Sequence, residues 1–271
     1  MKKLFVVLLS VLCVLSLAAC GGKKDEKTIS VACSPTPHAE ILEKAKEILA
    51  KDGWTLDIRE FEDYVQPIKV VESGEIDANY FAHTPYLNDY NNENGTSQVV
   101  VGKVHYEPFG IYAGKKTSLA DLEDGDEILV PSDSTNETRA LLLLQDNGII
   151  ELPEGTGADT IVSKNDIVKY NVQVDITELE AAQIGRSRAD AAVVILNGNY
   201  ALAEGLNVLK DSIAFEKSDS SAAKTYANVL AVKKGNENNE GIKALVEVLE
   251  SQEIKDFITK TYEGSVVAYT E

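Results

Sequence analysis

Glu72-Ser73-Gly74-Glu75-Ile76-Asp77-Ala78 closes a helical pattern and opens an apolar run, and Arg186-Ser187-Arg188-Ala189-Asp190-Ala191 repeats that order later in the chain. Each strand-like run then meets a polar residue, His83 in the first copy and Asn197 in the second. Helix-turn-strand junctions with Asp-Ala are common, so the echo alone is weak. Its surroundings give it weight. Two βαβ-type lobes, each with binding groups beyond the carboxyl ends of its strands, produce this arrangement.

Around the first copy, Thr28–Ala32 reads as a strand and His38–Asp52 as a helix. Ile41, Leu42, Ala45, Ile48 and Leu49 share one face of that helix, and Gly53 stands at its C-terminal end. Thr55–Glu60 is a strand, Gln66–Ser73 a helix and Ala78–Phe81 a strand, while Asn88–Thr96 reads as a helix end and polar loop. Around the second copy, strand Ile128–Val130 leads into helix Asn136–Asn147, closed by Gly148. Strand Val172–Ile176, helix Glu180–Arg186 and strand Ala191–Ile195 follow, and helices Glu240–Ser251 and Glu253–Tyr262 end the chain. This alternation predicts an α/β fold with mostly parallel sheets. Phe109–Ala113 and Asn228–Val232 are strand-like where the chain would cross between lobes. The expected organisation is a first lobe over 28–112, a second over 113–227, and a return to the first over 228–271.

The N-terminus has a different grammar. Lys2 and Lys3 precede the apolar run Leu4–Leu17, and the small residues Ala18 and Ala19 precede Cys20. That is the layout of a secretory signal, and the run falls short of the ~20 residues that span a bilayer. An ordinary signal with an incidental cysteine is one reading. Leu17-Ala18-Ala19-Cys20, however, resembles a bacterial lipobox, in which residues 1–19 are removed and Cys20 carries diacylglyceryl and palmitate-type acyl chains. Stable anchoring takes more than one chain, and residues 20–27 then form a polar tether. The expected location is the outer face of the bacterial cytoplasmic membrane.

The chain is acidic: 44 Asp and Glu against 26 Lys and Arg, a formal charge of −18. Such a surface repels polyanions, which argues against nucleic acid and against docking through a basic patch. Cys13 leaves with the signal, which strands Cys33 without a disulfide partner in the mature chain. It is expected as a small apolar residue at a strand end.

No nucleophile elbow, zincin helix, phosphate loop or dinucleotide fingerprint is present. His38, His83 and His105 lack metal-ligand spacing, and Asp121–Glu127 does not fit a calcium loop. Neither an enzyme, a cofactor nor a metal is expected. Two segments carry binding chemistry instead. In Val130-Pro131-Ser132-Asp133-Ser134-Thr135-Asn136-Glu137-Thr138-Arg139, small polar residues cap a helix and Arg139 is expected in its first turn. A cation there opposes the macrodipole. A bound carboxylate would offset it, and so would pairing with Asp133, Glu137 or another local acid on the surface. The second segment joins Tyr64 to Asn79-Tyr80-Phe81-Ala82-His83-Thr84-Pro85-Tyr86. Pro85 suits a first helical turn, and the rings either wall a small-ligand slot or serve as plain core.

Taken together, Glu62-Asp63-Tyr64, Gly74-Glu75-Ile76-Asp77-Ala78-Asn79, His83-x-Pro85-Tyr86, Thr135-Asn136-x-x-Arg139, Leu179-Glu180-Ala181, Asn197-x-x-Tyr200-Ala201 and Ala227-Asn228-Val229 resemble the NlpA/MetQ-type methionine-binding lipoproteins, substrate-binding components of ABC importers. The resemblance covers nearly the whole mature chain. It implies a two-lobed periplasmic-binding-protein-like α/β fold, with two inter-lobe crossings and a ligand cleft between the lobes. It implies that Arg139 holds a ligand carboxylate and that Asn136, Asn197 and Asn228 give polar contacts. Tyr64, Phe81, His83 and Tyr86 would surround a thioether. The implied partners are methionine, the importer permease and its ATPase. Ser134 and Thr138 replace residues usual in the family, which leaves open another amino acid or small peptide, or a surface adhesin without transport.

Overall fold

The computed structural model describes residues 27–217 and 224–270. The expected signal, Cys20 and the tether up to Glu26 lie outside these. The chain opens with β1 (Thr28–Cys33), α1 (Glu40–Leu49), β2 (Thr55–Glu60), α2 (Gln66–Glu72), β3 (Ala78–His83) and α3 (Thr84–Asn94). β1 and β3 are buried almost throughout, as strands covered on both faces must be. α1 turns Ile41, Leu42, Ala45 and Leu49 inward. β4 (Gln98–Tyr106) then leads to β5 (Gly110–Ala113).

The second half holds β6 (Glu127–Pro131), α4 (Ser134–Asp146), the small hairpin β7 (Ile150–Glu151) and β8 (Lys169–Tyr170), and β9 (Asp175–Leu179). α5 (Ala181–Ser187), β10 (Val193–Leu196), α6 (Gly198–Ala203), α7 (Val208–Asp211) and β11 (Ser212–Phe215) follow. The chain returns through β12 (Asn228–Lys233), α8 (Glu240–Leu249), α9 (Gln252–Tyr262) and β13 (Val267–Ala268).

Two main sheets result. The first has the order β13-β4-β12-β3-β1-β2 and the second β11-β5-β10-β6-β9. Each has its own core. One gathers Ile29, Val31, Leu42, Tyr80, Leu230 and Ile258, the other Phe109, Ile128, Leu141, Leu144 and Ile195. The chain passes from β4 in the first sheet to β5 in the second, and from β11 in the second back to β12 in the first. This is the two-lobed, twice-crossed architecture. Among the described residues, no helix is long and apolar enough to cross a membrane.

The sheets are mixed rather than mostly parallel. β1 runs parallel to β2 and β3, and β6 parallel to β9 and β10, but β12 is antiparallel to both β3 and β4, and β5 antiparallel to β10 and β11. The crossings are the cause. β12 enters the first sheet at the end where β3 leaves it, with Asn228 opposite His83 on one side and His105 on the other. A strand entering there must run backwards.

Other boundaries moved for local reasons. β9 starts three residues later than the apolar pattern suggests, because Val172 and Val174 feed the second core from the preceding loop. α3 continues through Asn94 to a left-handed Gly95, φ 66°. β4 stands where the sequence suggested no element.

Candidate ligand-binding site

A small pocket lies between the lobes. It collects Tyr64, Phe81, His83, Tyr86, Asn136, Arg139, Asn197 and Asn228, every residue singled out from the sequence as ligand-facing. Ala82, Glu107, Gly198 and Asn199 complete the lining.

The aromatic side belongs to the first lobe. Tyr64 packs 5.6 Å from Phe81 and 5.5 Å from Tyr86, centroid to centroid. His83 caps α3: its Nδ1 accepts the Tyr86 backbone N–H at 3.1 Å. The proton therefore sits on Nε2, which donates to Asn136 Oδ1 at 3.1 Å. Burial, and then Arg139, lower the His83 pKa to about 3.

The polar side comes from the second lobe. Asp133 caps α4 by accepting the Asn136 N–H at 2.9 Å, and both its oxygens accept from Asn136 Nδ2. Asn136 Oδ1 also accepts from Asn197 Nδ2 at 2.9 Å. Asn136 thus orients Asn197 and His83. Asn197 Oδ1 is buried without a hydrogen-bond partner, an acceptor of the kind that a ligand donor would satisfy.

Because α4 starts at Ser134, Arg139 lies in the second turn, not the first, and the dipole argument lapses. Its partner is not a neighbour in sequence either. Nε donates to Glu216 Oε1 at 2.8 Å and Nη2 to Glu216 Oε2 at 2.6 Å, with a further bond from Nη2 to the Glu107 carbonyl at 2.9 Å. Phe109 and Tyr226 lie 4.7 and 4.4 Å from the guanidinium carbon. Burial opposes the charge, yet Glu216 outweighs it and raises the pKa. The local acids are engaged elsewhere, Asp133 as the cap and Glu137 as acceptor of the Lys164 backbone N–H.

Glu107, Asn199 and Glu216 carried no motif and escaped the sequence reading. Glu107 is 5% exposed. Burial raises its pKa, offset by His38, by Arg139 and by the Asn199 backbone N–H. Gly198 is required beside it: a Cβ there would stand 2.7 Å from Glu107 Oε2. His38, His105 and Glu107 place ligand-type atoms within 4.8 Å of one another, a convergence concealed because His38 lies far from the other two in sequence. This donor set is a poor fit to a metal, since each imidazole Nε2 already meets Asn228 or Glu107 through a hydrogen bond. Cys33 lies outside the cavity, fully buried, its thiol pushed up to about 12 by burial and then by Glu60 and Glu43.

Several bonds hold the lobes together. Tyr64 OH donates to Asn199 Oδ1 at 2.5 Å, Tyr200 OH to the Glu62 carbonyl at 2.9 Å, and Ser134 OH to Asp89. The cleft is closed.

The family model described as NlpA lipoprotein matches residues 29–270. The methionine-binding lipoprotein MetQ of Bacillus subtilis is 39% identical over 281 residues, covering 100% of both chains. A lipoprotein structure from Ruminococcus gnavus superposes with a TM-score of 0.88 at 59% identity, covering 90% of this chain and 100% of that one. A nutrient-binding protein from Burkholderia cenocepacia, solved bound to methionine, gives 0.83 at 39% identity, covering 89% and 100%.

Proposed function

The chain belongs to the NlpA lipoprotein family, and from that premise we propose that it is an extracytoplasmic substrate-binding lipoprotein that captures methionine and delivers it to an ABC-type importer. It catalyses no reaction in this reading. One observation carries it: a buried guanidinium and a buried carboxylate line one pocket with a cluster of rings. Those are the complements of a free amino acid with an apolar tail.

In this reading Arg139, with Nε and Nη2 committed to protein oxygens, turns Nη1 to the ligand carboxylate. Glu107 and Asn197 Oδ1 accept from the ammonium, and Asn228 adds a polar contact at the crossing. Tyr64, Phe81 and Tyr86 surround the thioether, where sulfur–aromatic contacts contribute ~0.3–1.5 kcal/mol. Residues 28–106 with 228–270 form one closing body and 110–217 with 224–227 the other; the expected boundary at 112 moves because Phe109 and β5 belong to the second core and sheet. Only a ligand that touches both shifts the population to the closed form. Acylated Cys20 anchors the chain, and the importer permease and its ATPase receive the closed form.

The test is a thermal-shift panel of amino acids on protein unfolded and refolded to strip copurified ligand. Methionine at ~100 times its dissociation constant adds ~2.7 kcal/mol of apparent stability. A flat response to every amino acid would sink the reading.

A further inference from the structure

Glu107 precedes the strand that enters the second lobe, Asn228 opens the strand that returns, and one imidazole meets both. His38 Nε2 lies 2.9 Å from Asn228 Oδ1 and 3.5 Å from Glu107 Oε1. His105 Nε2 lies 2.8 Å from the same Glu107 oxygen, and the Tyr80 hydroxyl bonds to His105 Nδ1. None of His38, His105, Glu107 and Tyr80 is more than 5% exposed.

The protons in this network can be placed. An amide oxygen only accepts, so His38 carries its proton on Nε2. With the Tyr80 phenol donating to His105 Nδ1, the single ring proton of a neutral His105 lies on Nε2, aimed at Glu107. The Asn199 backbone N–H donates to the carboxylate from the other lobe. Every partner bonded to Glu107 is therefore a neutral donor. The nearby cation, Arg139, is already paired bidentately with Glu216. The result is a buried, oriented carboxylate with no full positive charge of its own, facing the cavity.

We propose that His105, set by Tyr80, is a positioning residue that holds Glu107 ionised and aimed at the ligand's ammonium, and so makes the site select an α-amino acid over its des-amino analogue. This rests on the amino-acid reading above and adds which buried groups, none touching the ligand's tail, enforce that selection.

The test measures the affinity of the full chain for methionine and for 4-(methylthio)butanoate, which keeps carboxylate and thioether but lacks the amine. Wild type should prefer methionine by roughly a hundredfold or more, the worth of a charge-assisted contact in a desolvated site. Tyr80→Phe removes one oxygen and frees the His105 tautomer. It should weaken methionine binding about tenfold and leave the analogue unchanged. His105→Leu should abolish most of the preference, and His105→Gln, which restores an N–H toward Glu107, should recover it. If His105→Leu fails to fold, the Tyr80→Phe and His105→Gln ratios still decide. Equal losses for both ligands, or an unchanged ratio, would overturn the inference while leaving the methionine reading standing. A wild type that binds neither ligand would sink that reading, and this one with it.

Discussion

Arg139 and Glu107 are the two buried charges of the cleft, 3% and 5% exposed, and they are compensated in opposite ways. Arg139 has a full counter-charge in Glu216. Glu107 has the His105 imidazole and a backbone N–H. The first arrangement is neutral whether or not a ligand is present, so its guanidinium is fixed in advance. The second retains a charge that only an incoming cation completes. A cleft built this way is rigid at one end and demanding at the other.

Substitution at the compensated end should have the largest effect. Arg139→Ala strips Glu216 of its counter-charge and leaves it only the Tyr106 hydroxyl and the Phe109 N–H as donors, a loss of up to about 3–5 kcal/mol of folding stability, and it also removes the proposed carboxylate contact. Denaturant unfolding and methionine titration should both show it. A change in binding alone would mean that the ion pair does not stabilise the fold. Glu107→Gln inverts that pattern. Methionine affinity should fall by about 1.5–3 kcal/mol, while folding stability holds or rises, because a buried charge has been removed. A strongly destabilised Gln variant would contradict the contrast.

Acid sharpens the comparison at a smaller scale. Burial lowers His38 to about 4 and His83 and His105 to about 3, against ~6.5 in an unfolded chain. Their contribution is complete above about pH 6.5 and is lost as pH falls toward their folded values, since the unfolded state takes up protons first. Glu107 and Asp133, both raised chiefly by burial, work the other way and soften the decline. Unfolding free energies at pH 7 and pH 5 should differ in favour of pH 7, and equal values would show that the imidazoles are solvated. The smallest effect belongs to Tyr64→Phe, which removes the bond to Asn199 across the cleft. It should cost about 0.5–1.5 kcal/mol of methionine affinity, read as faster release with an unchanged unfolding midpoint.

Much of this frame was legible because it is local. Thr55–Glu60 matches β2 residue for residue, and Pro85 and Asp133 mark helix starts by chemistry within a few residues. The mixed sheets were not legible, since strand direction follows from where the crossings enter, which no periodicity encodes. β4 was missed although Val99, Val100, Val101 and Val104 lie in it, because Gly102 and Lys103 interrupt the alternation. At the site, motif residues could be gathered from the sequence, but their partners could not. Glu216 stands 77 residues from Arg139, and an acidic residue in so acidic a chain carries no mark of its own.

β12 lies between β3 and β4 in the finished sheet, although it is made long after both. Until it arrives, the strand edges on either side of that gap have no neighbour to bond. Non-local pairings of this kind fold slowly. The chain therefore emerges with its second sheet whole while its first is still split. A ribosome that stops short of Asn228 leaves a product with an open seam at the floor of the cleft, where the last strand should have closed it.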